Sequence, residues 1–133
     1  MSGLPNELMI FAAGFGNRMR PLTADLPKPL VLVAGQSLLD RTLALAHVAG
    51  ISKVIVNTHY LAHKIHNHLQ DQPVKIIHEP EILDTGGGLK NARPLFREAT
   101  AFTSNGDAIW SGPNPFLALN LRWRDDCLSL IHI

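Results

Sequence analysis

A short apolar run, residues 8–13, passes directly into a glycine-containing turn. An apolar run bounded by turn residues predicts a short buried strand. Gly14 and Gly16 follow at once, and glycine lets bare backbone adopt positive φ and approach a ligand closely. Because backbone N–H groups at the carboxyl end of a strand attract anions, the stretch favours phosphate binding.

Cationic side chains follow this turn. Arg18 and Arg20 come directly after it, and Lys28 lies between Pro27 and Pro29, whose rings fix φ and stiffen the segment. A glycine turn, an arginine and a lysine held between prolines together indicate a polyphosphate site. The alternative is a tight strand-to-helix turn with solvated arginines.

Two familiar phosphate motifs are excluded. A P-loop requires G-x-x-x-x-G-K-[ST], and no such run occurs in the sequence. A dinucleotide fingerprint requires G-x-G-x-x-G, but Met19 occupies the position of the third glycine.

Strand-like and helix-like patterns alternate through the first part of the chain. The predicted strands are 30–33, 54–56 and 74–77, and the predicted helices are 38–49 and 59–70. Ser37 and Asp40 have the spacing of a helix start, and Gly50 has the place of a helix stop. This alternation predicts a mostly parallel α/β sheet with flanking helices.

Two later stretches carry candidate chemistry. The three glycines at 86–88 follow the last of these strands, either as a flexible loop or as a helix start close to a ligand. Asp107 follows an apolar segment and Gly106; a carboxylate there can hold Mg²⁺, although aspartate after glycine is commonly a turn residue. Beyond it we predict a helix over 116–123 and a strand over 128–133.

Histidines are concentrated in the second predicted helix, at positions 59, 63, 66 and 68. His59 and His63 have the i, i+4 spacing that lets two imidazoles share a metal. The same helix buries Leu61 and Ile65, however, so most imidazoles should face water, and no Cys or carboxylate completes a site. A metal role is therefore the weaker interpretation.

Composition narrows the class of protein. The chain has 133 residues, enough for one domain with a core, and a net charge of +1, which gives no support for nucleic-acid binding. The single cysteine, Cys127, excludes an internal disulfide and fits a reducing compartment. No stretch has the length of a membrane span or the pattern of a signal peptide, so we expect a cytoplasmic protein without membrane partners.

The motif from Gly14 to Thr23, followed by Pro27-Lys28-Pro29, closely resembles the signature of the sugar-1-phosphate nucleotidyltransferases. The resemblance implies a Rossmann-like α/β fold. It also implies a reaction that joins a nucleoside triphosphate to a sugar 1-phosphate, releasing pyrophosphate and forming an NDP-sugar. One departure is Asn17, where the family usually has Thr or Ser; asparagine can still donate a hydrogen bond.

The resemblance also implies roles for individual residues. Arg18 and Lys28 would be catalytic, and Asp107 would bind Mg²⁺. The nucleotide-binding residues would be Ala13, Gly14, Gly16, Asn17, Glu79, Thr85, Gly86 and Gly87. The string at 84–88 resembles a bacterial branch of the family that uses UTP or GTP, so UTP is favoured, with GTP or dTTP as alternatives.

Members of this family are usually longer, so about half of the expected catalytic domain is missing here. We therefore expect residues 1–133 to be the N-terminal nucleotide-binding portion of one nucleotidyltransferase domain, with little activity alone. The missing half normally provides a second metal carboxylate and much of the sugar pocket.

Two rival functions remain open. A non-catalytic nucleotide-binding or regulatory relative is disfavoured because Arg18, Lys28 and Asp107 are all present. A different α/β enzyme that binds a dinucleotide is disfavoured by Met19.

Overall fold

A four-stranded parallel sheet forms the centre of the computed structural model, which describes residues 4–131. The strands are β1 (Glu7–Phe11), β2 (Leu32–Val33), β3 (Gln36–Ser37), β4 (Lys53–Thr58), β5 (Val74–His78) and β6 (Phe102–Asn105). The α-helices are α1 (Leu38–Val48), α2 (Ala62–Leu69), α3 (Asp84–Ala92) and α4 (Pro115–Asn120). Short 3-10 turns cover Asn17–Met19, Lys28–Leu30 and Arg93–Leu95.

The order of strands in the main sheet is β5-β4-β1-β6, and every pair is parallel. β1 lies between β4 and β6, so Phe11 at its end is in register with both Asn57 and Asn105. The alternation of strands and helices thus gives the parallel α/β architecture that the sequence predicts.

Successive side chains of β1 enter two different cores, because side chains alternate across a strand. Leu8 and Ile10 pack into a cluster that includes residues of α1, α2 and α4. Met9 points to the other face, where it packs with Ala92 of α3 and with Phe96. Both faces of the sheet are therefore covered, and β1 is fully buried at these three positions.

The strand order reverses direction at β1. From β1 the chain continues to β4 and then β5 on one side, and α3 carries it back to β6 on the other side. The segments that leave the carboxyl ends of β1 and β6 therefore diverge. In open α/β sheets a crevice forms at such a switch point, and ligands bind there.

Two strand predictions need correction. β1 ends at Phe11 instead of residue 13, because the N–H of Ala12 donates to the side-chain Oδ1 of Asn57 (2.7 Å). The predicted strand at 30–33 is split: Leu30 closes a 3-10 turn, and only Leu32–Val33 is a strand. That strand pairs with β3 in a small antiparallel hairpin outside the main sheet.

The start of α2 also differs from the prediction. Leu61 has φ of 48°, in the left-handed region, so the helix begins at Ala62. His59 consequently lies in the preceding loop and is not one helical turn from His63. Within residues 4–131, no group of three or more His, Cys, Asp or Glu side chains is arranged to hold a metal ion.

Helix boundaries elsewhere are partly as predicted. α1 begins where Ser37 Oγ accepts the N–H of Asp40 (3.0 Å), and Gly50 follows its end with φ of 72°. α3 begins at Asp84, so the three glycines at 86–88 lie inside a helix and do not form a loop. None of the helices in residues 4–131 has the length and apolarity needed to cross a membrane.

The C-terminal predictions are wrong in two respects. α4 ends at Asn120, so Trp123 lies beyond the helix. Residues 128–131 do not form a strand, and residues 132 and 133 of that prediction lie outside the described part of the chain. A strand needs a paired neighbour to satisfy its backbone, and β6 pairs only with β1 among the described residues.

Glu7 has a role that the sequence did not indicate. Its carboxylate is buried at the start of β1, and Oε2 accepts the N–H groups of Arg97 and Glu98, each at 2.9 Å. Lys53 Nζ lies 3.9 Å from the other oxygen. The carboxylate thereby ties the segment after α3 to the central strand.

We predict that Glu7→Ala lowers the free energy of unfolding by about 2–3 kcal/mol, because the N–H groups of Arg97 and Glu98 lose a buried, charged acceptor. Chemical denaturation measures the change. Glu98→Ala, which removes an exposed carboxylate, should change stability by less than about 0.5 kcal/mol. Equal effects of the two substitutions would contradict the assigned role of Glu7.

Candidate functional site

A cleft of about 530 Å³ opens at the carboxyl edge of the sheet, at the switch point between β1 and β6. The glycine turn after β1, the 3-10 turn at Lys28–Leu30 and the segment after β6 form its walls. A second cleft of about 280 Å³ adjoins it and shares Phe11, Gly14 and Asp107 in its lining. The second cleft extends toward the ends of β4 and β5 and the start of α3.

Gly16 is required by the conformation of the turn. Its φ is 64°, and a Cβ added there would lie 3.1 Å from Cγ2 of Thr23. The buried Thr23 hydroxyl donates to the carbonyl oxygen of Gly16 at 2.6 Å. The Thr of the sequence motif therefore holds the glycine turn in place.

Gly14 has a different explanation. Its φ is outside the left-handed region, and an added Cβ would have no heavy atom within 4 Å. Neither backbone conformation nor internal packing requires glycine at this position. The open space lies on the cleft, which Gly14 lines, so the missing side chain leaves room for a ligand to approach the backbone.

The outer side of the turn is braced by aromatic residues. The Tyr60 hydroxyl lies 3.0 Å from the carbonyl oxygen of Thr23 and 2.8 Å from that of Ala24. Phe15 on the turn packs against the rings of His59 and Tyr60, each with centroids 5.6 Å apart. The segment between β4 and α2 thus supports the turn from outside the cleft.

Lys28 and Asp107 meet across the cleft. Lys28 Nζ lies 2.7 Å from Asp107 Oδ2, and the two side chains are 29% and 31% exposed. Pro27 and Pro29 are buried on either side of the lysine and anchor its turn. Asp107 is fixed by Gly106, whose N–H donates to the carbonyl oxygen of Phe11 at 3.0 Å.

The close approach at Gly106 leaves little room for a side chain. A Cβ there would lie 3.1 Å from both the Phe11 carbonyl oxygen and Ile10 Cγ2. The Gly-Asp pair of the sequence therefore has a packing reason for its glycine, and it places the carboxylate beside the end of β1.

The three glycines of α3 separate into two groups. A Cβ at Gly88 would lie 2.9 Å from Glu79 Oε1, and one at Gly87 would lie 3.0 Å from Leu83 Cβ. A Cβ at Gly86 would meet nothing within 4 Å. Since glycine weakens a helix by up to about 1 kcal/mol relative to alanine, Gly86 has no evident structural advantage.

The structure brings most of the predicted site residues to these two clefts. Gly14, Gly16, Asn17, Arg18, Lys28 and Asp107 line the larger one. Ala13, Gly14, Glu79, Thr85 and Asp107 line the smaller one. Gly86 and Gly87 follow Thr85 in α3 but line neither cleft.

Several lining residues were missed in the sequence: Phe11, Phe15, Asn57, Ile82, Asp84 and Asn105. Two of them could have been predicted from the sequence, because Asn57 and Asn105 are polar residues near the ends of otherwise apolar strands. Carboxyl ends of parallel strands meet at one edge of the sheet. Asp84, with φ of 58°, had no such signal.

The donor set at the clefts suits a hard cation. Asp107 and Asp84 both line the two clefts and offer carboxylate oxygens. Magnesium is usually held by one or two carboxylates together with substrate phosphates and waters. The residues present therefore fit Mg²⁺ bound jointly with a phosphate ligand.

Residues 7–119 match the nucleotidyl transferase family. The chain belongs to this family. It is 42% identical over 118 residues to the N-acetylmuramate α-1-phosphate uridylyltransferase of Caulobacter vibrioides, covering 83% of this chain and 49% of that protein. It is 32% identical over 108 residues to the mannose-1-phosphate guanylyltransferase of Mycobacterium tuberculosis, covering 77% and 30%.

Solved structures agree with this membership. The chain superposes on HddC from Yersinia pseudotuberculosis with a TM-score of 0.69 and 33% identity, over 77% of this chain and 48% of HddC. HddC has also been solved in complex with GMP-PN. The chain thus spans about half the length of the uridylyltransferases that it matches, 49% and 47%.

The contrast between Gly14 and Gly16 gives a direct test of the cleft. We predict that Gly14→Ala changes the free energy of unfolding by less than about 0.5 kcal/mol but weakens Mg-UTP binding at least about tenfold. Gly16→Ala should cost about 1–2 kcal/mol of stability, because alanine disfavours positive φ. Calorimetric titration and denaturation measure the two effects. Unchanged nucleotide binding in Gly14→Ala would show that no ligand approaches this backbone.

Proposed function

We propose that this chain is the nucleotide-binding portion of a nucleotidyltransferase that makes an NDP-sugar and pyrophosphate from an NTP and a sugar 1-phosphate. One observation carries the proposal. Lys28, Asp107 and Arg18 converge with an open glycine turn on one cleft, at the switch point of the sheet. Membership of the nucleotidyl transferase family supports the same reaction class.

The proposed reaction is an in-line displacement at the α-phosphorus. An oxygen of the sugar 1-phosphate forms a new bond to phosphorus, and the bond to the pyrophosphate oxygen breaks. A phosphate monoester has a second pKa near 6, so the nucleophile is already an anion at neutral pH. No general base is required, and catalysis consists of positioning and charge stabilisation.

Each side chain has a proposed role in positioning the substrates or stabilising charge. Backbone N–H groups from Gly14 to Gly16 would hold the triphosphate, and Arg18 would neutralise the leaving pyrophosphate with paired N–H donors. No acidic partner is paired with Arg18 among residues 4–131, so its guanidinium remains available for an anion. Lys28, a compact charge, would lie between the α-phosphate and the incoming sugar phosphate.

Asp107 would hold Mg²⁺, which supplies neutralising charge to the phosphates when bound. The carboxylate and Lys28 are each about one-third exposed, so their ion pair contributes at most about 1 kcal/mol. A phosphate entering the cleft offers Lys28 a new anionic partner. The Asp107 oxygens then become available to a cation at little energetic cost.

The smaller cleft is the proposed subsite for the nucleobase. Ala13 and Thr85 line it, and Gly86 and Gly87 continue the helix beside it. We favour UTP, since a uridylyltransferase is 42% identical to this chain. GTP is the main alternative, because a guanylyltransferase is 32% identical and HddC was solved with GMP-PN.

We predict that Arg18→Ala and Lys28→Ala each lower turnover by a factor of about 100 or more, because each removes a charge aligned with the transition state. The assay is pyrophosphate release by the chain extended with the C-terminal part of the Caulobacter relative, called the extended chain below. Arg20→Ala is the matched control, since Arg20 lines neither cleft. Turnover near wild type in Lys28→Ala would refute the mechanism.

We also predict that residues 1–133 alone bind nucleotide but release little or no pyrophosphate. Members of the family normally supply a further metal carboxylate and much of the sugar pocket from their C-terminal half, so Asp84 and Asp107 alone would not hold Mg²⁺ rigidly between two anionic substrates. Pyrophosphate release and nucleotide binding are compared between the 133-residue chain and the extended chain. Robust turnover by the shorter chain would show that no further residues are needed.

The function itself is tested with UTP, GTP and dTTP, each paired with N-acetylmuramate 1-phosphate and mannose 1-phosphate. The proposal expects pyrophosphate release by the extended chain with at least one pair, UTP giving the highest rate. Nucleotide binding without release for every pair would favour the non-catalytic relative.

A further inference from the structure

A buried amide connects the glycine turn to the rest of the site. Asn57 is 2% exposed, and its Oδ1 accepts the N–H of Ala12 at 2.7 Å. Its Nδ2 lies 2.8 Å from Glu79 Oε1. A backbone N–H can only donate, so the amide oxygen must face Ala12 and the amide nitrogen must face Glu79. The chemistry of the partners therefore fixes the orientation of the Asn57 side chain.

This amide determines where the chain goes after β1. The ladder between β1 and β4 ends at the pair Phe11 and Asn57. Ala12 is buried, at 2% exposure, and its N–H has left the ladder. A buried N–H without an acceptor is costly. Asn57 supplies that acceptor, and it thereby sets the path of the backbone two residues before Gly14.

The carboxylate of Glu79 holds the amide in turn. Glu79 is 1% exposed, and α3 covers the pair so closely that a Cβ at Gly88 would lie 3.0 Å from Asn57 Nδ2. The carbonyl oxygen of Glu79 accepts from His59 Nδ1 at 2.7 Å. The His59 ring packs on Phe15 of the turn. The linked contacts of Asn57, Glu79 and His59 therefore connect to the segment after β1 at two points, Ala12 and Phe15.

We infer that Asn57 is a positioning residue for the phosphate-binding turn and that Glu79 acts through it, by fixing the amide rather than by contacting the base. The inference rests on the proposed function for the identity of the ligand, a nucleoside triphosphate. A pair that served only to join β4 to β5 would affect stability and leave nucleotide affinity unchanged once the protein is folded.

An exchange of chemical groups tests this arrangement. Asn57→Asp alone keeps an acceptor for Ala12 but places a second carboxylate against Glu79. Glu79→Gln alone keeps an acceptor for Asn57 Nδ2. The double variant Asn57→Asp with Glu79→Gln restores one donor and one acceptor between the two positions, with the direction of the hydrogen bond reversed.

The first readout is affinity for Mg-UTP, measured by calorimetry on the 133-residue chain under conditions where each variant is folded. We expect Asn57→Asp to bind at least about tenfold more weakly. The double variant should recover to within about threefold of wild type, and Glu79→Gln should lose less affinity than Asn57→Asp. Should Asn57→Asp be unfolded, Asn57→Ser replaces it with the same expected loss, because a shorter hydroxyl cannot serve both partners.

The second readout needs no ligand. Amide hydrogen exchange of Ala12, followed by NMR, should be faster in Asn57→Asp and return toward the wild-type rate in the double variant. Thr42→Val is the control: Thr42 is also fully buried, but its hydroxyl donates to Leu38 within α1 at 3.3 Å. It should lower stability without changing nucleotide affinity or the exchange of Ala12 relative to its neighbours.

The inference would be overturned by wild-type affinity in folded Asn57→Asp, by no recovery in the double variant, or by a loss of affinity in Thr42→Val as large as that in Asn57→Asp. A change of about tenfold or more in UTP against GTP preference in Glu79→Gln would show that Glu79 reads the base, which also contradicts it. If the wild-type chain binds no nucleotide, the proposed function fails, and the exchange of Ala12 alone decides whether Asn57 positions the turn.

Discussion

The placement of β1 between two parallel strands is the constraint on which the site depends. Both neighbouring segments bond to the end of β1: the carbonyl oxygen of Phe11 accepts the N–H of Gly106, and the N–H of Ala12 donates to Asn57 Oδ1. The glycine turn and the Asp107 segment therefore start from the same point and diverge around the cleft. The site results from the strand order, because a different neighbour for β1 would separate these segments.

The electrostatics of the cleft suit a ligand that brings its own negative charge. Lys28 and Asp107 neutralise one another at 2.7 Å, yet both remain partly exposed. Pairs of this kind are weak in water and exchange partners easily. A polyphosphate with a bound cation would replace this ion pair with two attractions between opposite charges: Lys28 with a phosphate and Asp107 with the cation. The Lys28–Asp107 pair therefore suits a cation–polyphosphate complex, and it leaves neither of the two charges unpaired before the complex binds.

Much of this arrangement could be predicted from sequence because it is local. Patterns over a few residues predict the strand before Gly14 and the cap at Ser37. The alternation of such strands and helices predicts the parallel α/β class. At the three glycines the sequence left a loop and a helix start open, because the residues that Gly88 packs against, Asn57 and Glu79, are not its neighbours in the chain. The polarity of Asn57 near a strand end could be read from the sequence, but its hydrogen bond could not, because Ala12 is distant in sequence and contributes only a backbone N–H.

We propose that a nucleoside triphosphate binds at the switch point with its phosphates on the glycine turn. An NMR titration of the 133-residue chain with Mg-UTP tests this most directly. We expect the largest amide shifts on Gly14, Gly16, Lys28 and Asp107, with smaller shifts around Thr85. Shifts concentrated instead on the groove between α1 and the amino ends of β4 and β5, which Asp40 and Gln72 line, would contradict it.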